Sequence, residues 1–140
     1  MAAFNKFNSF VEALAEKKHD LGADALKVLL SNTAPVATNA VKADLTEITA
    51  GNGYTAGGNA ATVTTSAQTG GIFKLVLGDP ATWTAAGGTV GPFRYAVLYN
   101  DTAANKELIG WWDYGSSLTL AIGESFAVDF DPTTGVLTVA

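Results

Sequence analysis

The 140-residue chain contains no cysteine, which excludes disulfides, thiolate metal sites and cysteine nucleophiles together. Charge is scarce. Charged residues make up 15% of the chain against 48% hydrophobic, below the roughly one quarter to one third typical of a soluble surface. The polar surface must therefore be built from Thr, Asn, Ser and Gly, or a partner must cover part of it, and both are expected. Positive charge is scarcer still. The net charge is -5, and Arg94 is the one arginine. Lys17-Lys18 is the one adjacent basic pair. Clustered positive charge for phosphate neutralisation is missing, so nucleic acid is excluded as a partner.

Long apolar runs are also missing. No stretch of about 18 apolar residues exists to span a bilayer as a helix, so no membrane partner is expected. The opening MAAFNKFNSFVEALAEKK has no basic leader, and Glu12 and Glu16 interrupt its apolar positions, unlike a secretory signal. The chain is expected to stay in the cytoplasm unless a larger assembly carries it out.

Catalytic patterns are equally thin. His19, the single histidine, lies in Glu16-Lys17-Lys18-His19-Asp20 with no nucleophile beside it, and reads as part of a solvated charge cluster. There is no Gly-x-Ser-x-Gly elbow, no HExxH and no EF-hand loop. Asp129 and Asp131 flank Phe130 ahead of Pro132 and Gly135. That pattern reads as turn chemistry in preference to calcium binding. No catalytic residue, cofactor or metal is assigned, and the chain is not read as an enzyme.

Glycine is plentiful, above all in GNGYTAGGNA, residues 51–60. A dinucleotide fingerprint differs in spacing by one residue and needs a helix to follow. Here Thr62-Val63-Thr64-Thr65 follows, a strand former, and no Lys-Ser/Thr completes a P-loop. The stretch reads as tight turns that tolerate φ > 0, with Tyr54 held on them.

Around it runs a series of short β segments: 25–30, 61–67, 72–77, 82–84, 92–99, 108–114, 117–121, 125–129 and 136–139. Turn clusters such as Asn100-Asp101, Gly115-Ser116 and Gly123 separate them. Residues 44–48 fit a short strand or one helical turn. Strands at this spacing, with no helix between successive ones, predict a single all-β domain over 1–140, a jelly-roll-like antiparallel β-sandwich.

Residues 1–20 differ. Phe4, Phe7, Phe10 and Leu14 recur at helical spacing. They predict a short N-terminal helical or extended arm, which either packs on its own domain or docks its aromatic side chains on a neighbour. In Phe93–Tyr99 and Leu108–Tyr114 neither alternate face is polar, although a half-solvated antiparallel strand should alternate. Phe93, Tyr95, Val97 and Tyr99 are expected on one face. Trp111 and Trp112 must point to opposite faces, one to the core and one free as an interface anchor or covered by the chain's own N-terminal segment. The interface candidates are Phe4, Phe7, Phe10, Tyr99, Trp111 and Trp112.

Several stretches together carry a resemblance: Asn5-Lys6-Phe7, Leu26-Lys27-Val28 leading to Ser31-Asn32-Thr33-Ala34-Pro35, Gly53-Tyr54-Thr55-Ala56-Gly57-Gly58, Gly91 to Asp101, and Leu108 to Gly115. Over nearly its whole length the chain resembles the capsid cement, or decoration, proteins of tailed bacteriophages. The resemblance implies a jelly-roll homodimer on the outer surface of the virion capsid, made in the host cytoplasm. It also implies a grip on a major capsid protein of the HK97-like kind and no catalytic residues. Under that reading, deleting residues 1–14 should leave a folded domain that attaches less well. The alternative is a tail or receptor-binding component that stacks carbohydrate on Trp83 or Trp112, with Asp113 or Asn100 as polar contacts.

Overall fold

Glycine and proline punctuate a chain otherwise rich in Thr, Val and aromatic residues, and the strands form between those marks. The computed structural model describes residues 2–140. In order, these form β1 (Asn5–Lys6), α1 (Ser9–Ala15), β2 (Leu26–Ser31), a 3-10 turn (Lys42–Asp44), β3 (Asn59–Ala61), β4 (Val63–Thr69), β5 (Ile72–Leu77), β6 (Trp83–Thr84), β7 (Val90–Asn100), β8 (Leu108–Leu120), β9 (Ser125–Phe126) and β10 (Leu137–Val139). A five-stranded sheet runs β1-β8-β7-β2-β3, a three-stranded sheet β10-β5-β4, and β6 pairs β9. Every pairing is antiparallel, and the fold is an all-β sandwich with one short helix, as the strand spacing predicts.

The main core lies between the sheets. Leu26, Val28 and Leu30 of β2, Ala96 and Leu98 of β7, and Leu75 and Leu77 of β5 meet Trp83, Phe93 and Phe130 there. A second cluster forms on the outer face of the five-stranded sheet from Phe7, Leu29, Val97, Tyr99 and Leu108, with Leu45 and Trp111 against it. Apolar coverage on both faces explains why these strands lack a polar side, and the chain supplies both covers itself.

Two irregularities correct the expected facing. Pairing shifts between Phe93 and Tyr95, so Phe93 joins Ala96 and Leu98 in the main core and leaves the side of Val97 and Tyr99. A further shift between Leu98 and Tyr99 puts Ile109 and Trp111, which a regular strand would hold on one face, on opposite sides, Ile109 in the main core and Trp111 against the outer cluster. Gly115-Ser116 is not a turn. Residues 108–120 form one continuous strand, because Tyr95 pairs with Asp113 and Phe93 with Leu118, and the surplus residues bulge at Gly115 with φ 103°. The strand expected over 125–129 keeps only Ser125–Phe126, although Phe126, Val128 and Phe130 still turn inward while Ala127 and Asp129 are exposed.

The glycine stretch is a turn locked onto the protein's own backbone. Gly53 and Gly58 have φ of 108° and 76°. A Cβ on either would overlap a neighbouring carbonyl oxygen, that of Thr84 or that of Val28. Close packing within the chain, not approach by a phosphate, demands glycine here. Tyr54 is buried and ties the turn down. Its hydroxyl donates to Glu47 Oε1 (2.6 Å) and accepts the Leu30 N–H (3.1 Å). Glu47 Oε1 also accepts the Gly57 N–H (2.5 Å), and Lys42 pairs with Oε2 (3.0 Å). Burial, then the bond to Glu47, push the Tyr54 hydroxyl well above its ordinary range. Tyr54→Phe should cost about 1–3 kcal/mol, because it leaves the Leu30 N–H unsatisfied in the core. Chemical denaturation of the variant reads that loss, and an unchanged midpoint would show that the hydroxyl contributes nothing.

Candidate functional site

The N-terminal segment forms part of the sandwich and is not a separate arm. The helical spacing of Phe4, Phe7 and Phe10 yields a helix over Ser9–Ala15 alone, and Asn5–Lys6 is extended. Asn5 and Asn8 are weak helix formers, and the open edge of β8 offers backbone partners instead. Asn5 pairs with Trp111 and Lys6 with Gly110, and the Asn5 side chain also donates to the Trp111 carbonyl (3.3 Å). Gly110 is required at this crossing, since a Cβ there would strike the Phe4 ring.

This arrangement removes three interface candidates. Phe7, Phe10 and Tyr99 are 0%, 3% and 1% exposed, each inside its own fold and out of a partner's reach. Phe7 packs on Trp111 with ring centroids 4.5 Å apart, and the Tyr99 hydroxyl donates to the Gly57 carbonyl (2.6 Å). Trp111 and Trp112 do point to opposite faces, but the N-terminal segment covers each, Phe7 over Trp111 and Phe4 over Trp112 (5.3 Å). Two residues of the carbohydrate reading are also buried, Trp83 at 1% and Asn100 at 0%.

Phe4 and Trp112 remain at a site, and the structure adds residues to them. An open cleft of about 320 Å³ lies between the β7–β8 face and the 126–136 segment. Phe4, Phe93, Trp112, Tyr114, Phe126 and Phe130 line it. The rings contact one another in two trios, Phe4 on Trp112 and Trp112 on Phe130 (5.4 Å), and Phe93 on Phe126 (4.9 Å) with Tyr114 on Phe126 (5.7 Å). Tyr114 is 56% exposed, an uncovered aromatic side chain at the cleft. Sequence reasoning did not single out Tyr114, because alternation places it on the side of Trp112 without showing that the N-terminal segment, which covers Trp112, leaves Tyr114 bare.

Polar groups mark the same cleft. Arg94 holds Asp113 by two parallel hydrogen bonds, Nε to Oδ1 (2.7 Å) and Nη2 to Oδ2 (3.0 Å). The guanidinium, helped by the Gly115 N–H, keeps the Asp113 carboxyl below the usual carboxylate range. Asp129 and Asp131 also line the cleft. Asp131 Oδ1 accepts the N–H groups of Thr133 (2.7 Å) and Thr134 (3.0 Å), which is turn chemistry. Among the described residues no cluster of His, Asp and Glu is placed to hold a metal ion.

Beside the cleft the outer edge of β8 is open beyond Trp111; before it, the Leu108 N–H donates to the Ala40 carbonyl (3.0 Å) and the Ile109 carbonyl accepts the Phe7 N–H (3.2 Å). The strand runs thirteen residues, yet β1 pairs only Gly110 and Trp111. A cleft that accepts side chains beside an edge that accepts backbone is the arrangement by which sheets bind extended segments of other chains.

His19 is a correction. It is 4% exposed and belongs to a buried polar cluster instead of a solvated one. Asn100 Oδ1 accepts the N–H groups of Thr102 (3.0 Å) and Ala103 (3.1 Å), which fixes its amide. Asn100 Nδ2 then donates to His19 Nδ1 (3.0 Å) and Asp24 Oδ2 (2.6 Å). His19 Nδ1 must accept, so the proton sits on Nε2 and the ring is neutral. Burial lowers the His19 pKa, against the opposing fields of Glu107 and Asp24.

No protein-family model, curated protein or solved structure matches this chain. No helix among the described residues is long and apolar enough to cross a membrane.

Proposed function

We propose that this chain is a capsid decoration protein of the tailed-bacteriophage kind, one that binds the outer surface of an HK97-like major capsid protein shell and braces it against the pressure of packaged DNA. The observation that carries the reading is the open aromatic cleft beside the unpaired edge of β8. It can take an extended capsid segment by backbone and by side chain together. The resemblance of residues 91–101 and 108–115 supports it, because these stretches build both features.

The mechanism is mass action. A shell fails where neighbouring subunits part, and a protein bound across that boundary adds its binding free energy to the cost of parting. Two linked copies add avidity with no new contact.

Tyr114→Ala tests the grip. Tyr114 is exposed, so the fold should survive, while an aromatic anchor is worth about 2 kcal/mol, on the order of thirtyfold in affinity. Purified capsids lacking this protein should take up the wild-type chain to saturation and the variant far less. Wild-type protein that ignores assembled capsids would end the proposal.

The tail reading keeps one supporting observation. Trp112 and Tyr114 line a cleft with free carboxylate oxygens at Asp129, a surface on which a sugar ring can stack. A gel of purified virions separates the two, since a decoration protein approaches the copy number of the shell and a tail component does not.

A further inference from the structure

The aromatic cleft carries a charge of its own. Three carboxylates line it, Asp113, Asp129 and Asp131, against the single guanidinium of Arg94, which leaves an excess of two negative charges. Arg94 is spent on Asp113 through two parallel hydrogen bonds. Asp131 uses Oδ1 to hold its own turn. Lys74, the other cation that acts on Asp131, stands outside the lining and donates to the Thr133 carbonyl (2.8 Å). Asp129 is exposed, and its carboxylate has no ion pair among the described residues.

The rings favour the same guest as the carboxylates. Trp112 and Tyr114 of β8, with Phe126 and Phe130 of the following segment, border the same space. The face of an aromatic ring is the negative pole of its quadrupole and attracts a cation placed over it. A long cationic side chain answers both features, since its methylene stem packs on rings while its charged head stays at the wet rim.

We infer that the cleft is a receptor for an arginine side chain carried on the extended segment that docks there. This rests on the reading of the cleft as the grip on such a segment, and it names the chemistry of what is gripped. The molecule already contains the arrangement once: Arg94 lies over the Tyr95 ring (5.5 Å) while it holds Asp113. A foreign arginine stacked on Trp112 or Tyr114 and paired with Asp129 repeats it. Arginine fits better than lysine, because a planar guanidinium stacks on a ring and pairs with a carboxylate at the same time. A neutral aliphatic side chain gains the rings alone, and an acidic one is repelled. The net charge of -5 draws a cationic segment toward the whole molecule as well.

The test needs no capsid. The isolated full chain, labelled with nitrogen-15, is titrated with acetyl-Val-Arg-Val-amide and with its citrulline counterpart, which keeps the shape of the side chain and removes the charge. The arginine peptide should shift the resonances of Trp112, Tyr114 and Asp129 and bind about fivefold more tightly, the combined worth of an exposed cation–π contact and an exposed ion pair. Raising the ionic strength should narrow that gap. Asp129→Asn should bring the arginine peptide close to the citrulline one. Glu12→Gln, the same loss of charge at an exposed position of α1 outside the cleft, should leave it unchanged. Equal binding of the two peptides, no binding of the arginine peptide, or an Asp129→Asn variant that binds like wild type would each overturn the inference. So would a Glu12→Gln variant weakened as much as Asp129→Asn. Capsids that take up a protein whose cleft ignores the arginine peptide would leave the decoration reading standing without this inference. A protein that binds the peptide and ignores capsids would do the reverse.

Discussion

Deleting residues 1–14 should unfold the domain, and Phe7→Ala alone should remove a large part of its stability. Phe7 is wholly buried on the outer face of the five-stranded sheet, among Leu29, Val97, Tyr99 and Leu108 and against Trp111. Its backbone is also engaged, since the Phe7 N–H donates to the Ile109 carbonyl (3.2 Å). A Phe→Ala change at such a site costs about 3–5 kcal/mol, lost transfer energy plus the cavity left behind. Domains of this size have about 5–15 kcal/mol in total. Thermal unfolding followed by circular dichroism should shift down by about 10 °C or more. The full deletion also removes Phe10, exposes both tryptophans and strips β1 from β8, so it should not yield a cooperative transition. This reverses the outcome expected of a detachable arm. A truncated chain that melts like the parent would show that the N-terminal segment only rests on the sheet.

Mild acid should destabilise the protein before its carboxylates begin to titrate. His19 is held neutral by the acceptor role of Nδ1 toward Asn100, and its folded pKa lies below the ordinary value near 6.5 because the ring is buried. Between the folded and unfolded values the unfolded chain binds the extra proton. Stability is therefore complete above about pH 6.5 and falls as the pH drops toward the folded value. Each unit of depression is worth about 1.4 kcal/mol. Protonation would make Nδ1 a donor facing the Asn100 amide, which cannot reverse while Oδ1 holds two backbone N–H groups. Groups that surround the ring would also adjust: Asp24 before β2, Glu107 before β8, and the Phe10 ring of α1 at 5.3 Å. Melting temperatures recorded from about pH 7.5 down to about pH 5.5 should decline for the wild type, and His19→Gln should flatten that slope even if its neutral-pH stability is lower. A second loss belongs below about pH 4, where Asp113 and Asp131, both held under the usual carboxylate range by their hydrogen bonds, are protonated. A wild-type curve flat down to pH 5 would remove His19 from any role in acid stability.

Most strands were legible because their cues are local. Residues 72–77 form a strand between Gly70-Gly71 and Gly78 within the bounds that pattern indicates, and 51–60 turns because Asn52, Gly53, Gly57 and Gly58 accept positive φ. The apolar character of both faces of 93–99 and 108–114 likewise announced a sheet covered twice. What covers it was not legible. Phe7 and Phe10 carry the same helical spacing whether they pack on a neighbour or at home, and only the open edge of β8 decides the matter. Local charge equally misled at His19. Its flanking lysines are exposed while Asn100, distant in sequence, draws the ring inside.

By itself, then, the sequence determined an all-β chain, its turns, and a surface poor in charge, because strand propensity, glycine conformation and composition act within a few residues. Only the tertiary structure decided which aromatic side chains are spent on the core and which remain at the cleft, which strand edge stays bare, and where the histidine lies. Those outcomes depend on register and bulges that bring distant segments together, and a shift of one residue moves a side chain to the opposite face.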